Sequence, residues 1–146
     1  MKRHLADGIE LDDDRTRVDV DAVHRFLSKE AYWALGRTLA EVERLVRESS
    51  RVVGMYDGEQ QIGFARTVSD GASIAYLADV YVLPKWRGRG LGVELVRASI
   101  EEGPYARTRW VLHTLDAHPL YHRFGFGAPS ERLMERPAGG PPGSET

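Results

Sequence analysis

The segment Leu83-Pro84-Lys85-Trp86-Arg87-Gly88-Arg89-Gly90-Leu91-Gly92 sets glycines and arginines between an apolar strand pattern and an amphipathic helix pattern. A strand that enters a helix through glycines leaves several N–H groups at the helix start without internal partners. Those donors, with the positive end of the helix dipole, form a site for an anion. Glycine lets the backbone approach such a ligand closely and adopt positive φ. Arg87 and Arg89 add mobile positive charge suited to a diphosphate. The spacing excludes two other phosphate loops. A P-loop needs a Lys and then Ser or Thr after its second glycine, and that Lys is absent. A dinucleotide fingerprint needs Gly-x-Gly-x-x-Gly, and the third position after Gly88 and Gly90 is Val93.

Other residue types capable of chemistry lie around this turn. Asp79 interrupts the apolar run Leu77-Ala78-Asp79-Val80-Tyr81, so its carboxylate should face a cavity, a partner or water. His118 and His122 are four apart with His113 nearby, which raises a metal site. Pro119 lies between the pair and no His-Glu-x-x-His pattern is present, so no metal is expected. The acidic run Glu10-Leu11-Asp12-Asp13-Asp14 reads as a solvated turn rather than as a metal ligand set.

Arg87-x-x-Gly90-x-Gly92 resembles the Gln/Arg-x-x-Gly-x-Gly/Ala signature of the GNAT superfamily of N-acetyltransferases. The preceding residues Asp79 to Gly88 are similar to that family's strand entering the loop. Leu120-Tyr121-His122-Arg123-Phe124-Gly125-Phe126 resembles its C-terminal signature, Leu-Tyr-x-x-x-Gly-Phe. The two motifs stand in the family's order, and together they cover roughly residues 75–126.

The resemblance implies direct attack of a primary amine, on a small molecule or a protein, on the thioester of acetyl-CoA. Backbone amides of Arg87, Gly88, Arg89, Gly90, Leu91 and Gly92 would hold the pyrophosphate. The pantetheine arm would lie along the backbone of Val80, Tyr81 and Val82, and His118 stands where many relatives carry an Asn that contacts CoA. Tyr121 occupies the position that protonates the leaving sulfur in many relatives. The chemistry suits a phenol, which stays protonated at neutral pH beside a thiol leaving group of lower pKa. Asp79 is the acid nearest the implied reaction centre and a candidate general base, with His113 and His118 behind it; a structural Asp bonded to a neighbouring loop explains it too. In the superfamily, acceptor specificity usually resides in the connection between the first two helices and in the loops above the sheet. Here that connection offers Tyr32 and Trp33 as pocket walls or core caps, and Arg37 as a partner for a substrate carboxylate. A CoA-binding sensor without turnover is the competing function.

The elements that must position these residues are legible from periodicity. Asp19 reads as an N-cap before a helix carrying Val20, Val23 and Leu27 on one face. Thr38-Leu39-Ala40-Glu41 matches a capping box, and Leu39, Val42, Leu45 and Val46 stripe the helix it opens. Short strands are expected over 9–11, 52–56, 62–68 and 75–83, the last three as an antiparallel meander ended by Pro84. A helix over 90–102, a strand over 110–114, a short helix over 118–124 and a last strand from Phe126 complete the pattern. The fold class is α+β, a mixed and mostly antiparallel sheet flanked by about four helices.

Composition sets the outer bounds. At 146 residues, one domain is expected over 1–136, with a disordered Pro/Gly-rich tail over 137–146. The absence of cysteine excludes disulfides and thiolate chemistry and suits a reducing cytoplasm. A net charge of −2 offers no basic field for nucleic acid. No apolar run approaches a membrane span, and the first eight residues contain no signal-peptide core. An amine acceptor is the expected partner, with the chain a monomer or homodimer.

Overall fold

A computed structural model describes residues 1–31 and 36–139. Tyr32 and Trp33, and residues 140–146 of the expected tail, lie outside that set. The chain forms two compact units, Met1–Thr114 and Leu115–Thr146.

The first unit is built on a six-stranded sheet whose strands run in sequence order. They are β1 (Lys2–His4), β2 (Ile9–Asp12), β3 (Arg51–Asp57), β4 (Gln60–Ser69), β5 (Ile74–Val82) and β6 (Arg109–Leu112). The first five pair antiparallel, whereas β5 and β6 are parallel. A parallel pair needs a crossover, and helix α3 (Leu91–Ile100) supplies it. Two helices precede the meander, α1 (Val20–Lys29) and α2 (Leu39–Glu48). Their apolar stripes close on one sheet face in a cluster holding Val23, Phe26, Leu27, Val42, Val46, Val52, Phe64 and Tyr81. No helix among the described residues is long and apolar enough to cross a membrane.

Both expected caps are present. The Asp19 carboxylate accepts the Ala22 N–H at 3.0 Å, and the Thr38 hydroxyl accepts the Glu41 N–H at 3.1 Å. Asp19→Ala should therefore lower stability by about 1 kcal/mol in urea unfolding, with the sheet's spectral signature unchanged.

Three features differ from the sequence expectation. The strand β1 consists of Lys2, Arg3 and His4, with no apolar residue to announce it; it pairs with β2 across a turn in which Asp7 and Gly8 both have positive φ. Three acids of the acidic run are ion-paired rather than solvated, while Asp14 is exposed and accepts from Thr16. Glu10 and Asp12 both meet Arg17, and Asp13 meets Arg51 and the N-terminal amine. No strand comes after β6 among the described residues. The Phe126 N–H turns back to the Tyr121 carbonyl, and Gly127 and Pro129 interrupt the chain beyond it.

Candidate active site

The register of β4 against β5 breaks at one place. Phe64 pairs with Tyr81 and Arg66 with Ala78, so Asp79 and Val80 together oppose Ala65 alone. This is a β-bulge, and Asp79 sits in it with φ +54°. Aspartate tolerates the left-handed region better than most residues, yet such a conformation persists only where its surroundings enforce it. The enforcement is visible. Asp79 Oδ2 accepts hydrogen bonds from Arg37 Nη1 at 2.7 Å and from Arg66 Nε at 2.5 Å. Burial pushes this carboxyl up, but the Arg66 and Arg37 guanidiniums more than reverse the effect, so it is held below the usual carboxylate range. Arg37, in the connection between α1 and α2, is thereby tied to the bulge; its carbonyl also lies 3.1 Å from His24 Nε2.

Beyond the bulge, β5 runs past its partner. The β6 pairing ends at Leu77 and Leu112, while β5 continues to Val82 alongside β4. Among the described residues no strand covers that edge of 78–82. The Tyr81 side chain is turned into the core, stacked on Phe26 at 3.9 Å between ring centroids. Only its backbone is left for a ligand.

The chain then enters the glycine turn. Gly88 and Gly90 have φ of +82° and +75°, and Gly90 is the left-handed N-cap of α3 with no side chain capping it. The first bond of the helix is from the Glu94 N–H to the Gly90 carbonyl. The N–H groups of Leu91, Gly92 and Val93 precede that bond and have no partner inside the helix. A Cβ at Gly88, Gly90 or Gly92 would meet nothing within 4 Å. Packing thus does not demand Gly92, and a glycine inside a helix costs about 1 kcal/mol relative to alanine. Arg87 and Arg89 are both exposed, and Arg87 is tethered, its Nε donating to the Val82 carbonyl at 3.0 Å.

In the second unit, helix α4 (His118–His122) carries Tyr121 buried and His118 exposed. Gly125 at φ +86° ends the helix and reverses the chain. Phe126 then returns to Tyr121, N–H to carbonyl at 3.2 Å and ring against ring edge-on at 5.8 Å. The Leu-Tyr-x-x-x-Gly-Phe spacing is therefore a device that fixes the tyrosine ring.

Two relevant residues are not evident from the sequence. Arg66 shares its side of β4 with the core residue Phe64; a cation at that parity was the available signal that a buried acid must answer it. Tyr76 is the other, its hydroxyl 2.6 Å from Nδ1 of His113. Among the described residues no three His, Asp or Glu side chains are grouped to hold a metal.

The chain is similar in sequence and fold to known acetyltransferases. Residues 48–127 match the model of the Acetyltransferase (GNAT) domain family. The structure is similar to that of a candidate GNAT-family acetyltransferase from Xanthomonas campestris pv. campestris. The TM-score is 0.82 and the identity 39%, over 88% of this chain and 92% of that one. A candidate acetyltransferase from Deinococcus radiodurans R1 shares the fold at TM-score 0.71 and 23% identity, over 93% and 94% of the two chains. In sequence, a candidate acetyltransferase of Gibberella zeae is 26% identical over 126 residues, 72% of this chain and 71% of its own.

Proposed function

Since the chain belongs to the GNAT acetyltransferase family, we propose that it transfers the acetyl group of acetyl-CoA to a primary amine by direct attack. The observation that carries this reading is the open start of α3, where a left-handed glycine cap leaves three N–H groups for an anion beside a strand edge that no other described strand covers. The pyrophosphate of acetyl-CoA takes the amides of the 88–93 turn, with Arg87 held close by its bond to Val82. The pantetheine arm runs along Val80 to Val82, and His118 is assigned a CoA contact by its place in the family pattern.

In the reaction the amine nitrogen bonds to the thioester carbon, whose oxygen takes negative charge and is met by backbone N–H groups at the β5 bulge. The C–S bond then breaks, the sulfur takes a proton, a role assigned to Tyr121 by its place in the family pattern, and the former amine gives one up. Asp79 suits that last step poorly, because two arginines hold it in the charged form and lower its proton affinity. We assign it a positioning role, fixing the bulge, and give the proton to His113 at its Tyr76 contact.

Two results test the reading. Thiol release from acetyl-CoA should depend on an added amine; tight CoA binding without acetylation of any amine would favour a sensor. Gly92→Glu should separate two effects in the same protein. Helix propensity and an acid in the first turn raise thermal stability slightly. The added carboxylate in the anion site weakens acetyl-CoA by about tenfold or more in calorimetry, since a repulsion of roughly 1.4 kcal/mol suffices. Unchanged affinity would remove the α3 start from the cofactor site.

A further inference from the structure

The Arg37–Asp79–Arg66 cluster joins two partly buried cations to one buried anion. We propose that the amine acceptor carries an oxyanion, a carboxylate or a phosphate, that these two guanidiniums hold beside the β5 bulge. This inference rests on the acetyltransferase reading above and adds the charge of the acceptor to it.

Both arginines use a single oxygen of Asp79, and each does so with one nitrogen. The terminal nitrogens of Arg66, and Nε and Nη2 of Arg37, bond to no described residue. A guanidinium presents five donors in a rigid fork that matches carboxylate or phosphate, so most of this capacity is unused. Among the described residues neither arginine pairs with a second carboxylate. The side-chain exposures are 1% for Asp79, 12% for Arg66 and 24% for Arg37. The negative charge is sealed while the positive edges reach solvent. A cation half withdrawn from water without its full counter-charge is costly to hold, and an incoming anion relieves that cost.

Placement adds to the charge argument. Arg66 lies on the sheet face that α1 and α2 cover, at the limit of their core cluster. The next residue on that face of β4 is Val68, exposed, opposite Tyr76, which in turn faces Val111 across the β5–β6 pairing. An acceptor lying on this open strip would meet Arg66 with one end and the Val68 and Tyr76 side chains with the rest. The bulge that is proposed to meet the thioester is the backbone of Asp79 itself, so the anion clamp and the reacting group share one residue.

The full chain is to be assayed with acetyl-CoA against amino acids, each beside its carboxamide, and aminoalkyl phosphates, each beside the matching amino alcohol. The expected result is a kcat/KM about tenfold or more higher for one anionic class than for its neutral counterparts, the winning pair telling carboxylate from phosphate. Arg66→Gln should bring that ratio toward one, and a ratio does not depend on how much of the variant is folded. Equal efficiency for charged and neutral members, or preference for the neutral ones, overturns the inference while leaving acetyl transfer standing. Should no amine be acetylated, calorimetry with butanoate and with inorganic phosphate in the presence of CoA decides. Binding that Arg66→Gln abolishes upholds the anion site and removes the transfer reading; no heat from either anion removes the site.

Discussion

Replacing Tyr121 by phenylalanine is expected to lower kcat by about 10²- to 10⁴-fold while the affinity for acetyl-CoA stays nearly unchanged. The substitution is informative because it keeps the aromatic ring and the backbone bonds that hold it. The edge-on contact with Phe126 and the backbone bonds from Phe124 and Phe126 to the Tyr121 carbonyl survive in phenylalanine. The phenolic proton that the leaving sulfur would take is lost. A group that acts in the transition state alone reduces kcat and kcat/KM together and leaves ground-state binding as it was. Single-turnover thiol release beside calorimetric titration reads both quantities. A variant that turns over like the parent would remove Tyr121 from the chemistry, and one that loses CoA binding as well would make it a binding residue.

Asp79→Asn should be the most destabilising of the conservative changes, by about 3 kcal/mol in denaturant unfolding. Asparagine accepts the left-handed backbone about as readily as aspartate, so the strain at φ +54° is matched and only the charge changes. What remains is two guanidiniums, each partly buried, with no anion between them. The sign of the pH dependence comes from the depressed carboxyl. Its stabilisation is fully present above the ordinary aspartate value near 3.9 and is lost as pH falls below that toward the folded-state value. Between pH 7 and pH 5 the difference between parent and variant should hold steady, and it should shrink below about pH 4. A variant as stable as the parent at pH 7 would mean that the arginines find another counter-charge.

What the sequence disclosed and what it withheld divide along one physical line. Local patterns were readable. Asp19 and Thr38 cap the helices their spacing announced, the meander turns where Asp57-Gly58 and Ser69-Asp70-Gly71 stand, and the glycine turn opens α3. Pairings between distant residues were not. Arg37 and Arg66 stand 42 and 13 residues from Asp79 along the chain, and only the folded sheet shows that one carboxylate answers both cations. The bulge escaped notice because it is a mismatch between two strands, each of which reads as regular by itself. The charged strand β1 is legible only through its partner β2, and Arg17 and Arg51 likewise turn most of the acidic run from a solvated loop into a paired one. The missing last strand has the converse cause: Phe126 looks like a strand residue, but its N–H is already engaged by Tyr121.

The central claim is acetyl transfer from acetyl-CoA to an amine, and its most direct test counts both products in one vessel. With acetyl-CoA and the best amine of the panel, one free thiol should appear for each N-acetyl group found on the amine by mass spectrometry, and both should stop when either substrate is withheld. Thiol release at the same rate with and without amine, or bound CoA with neither product, would contradict it.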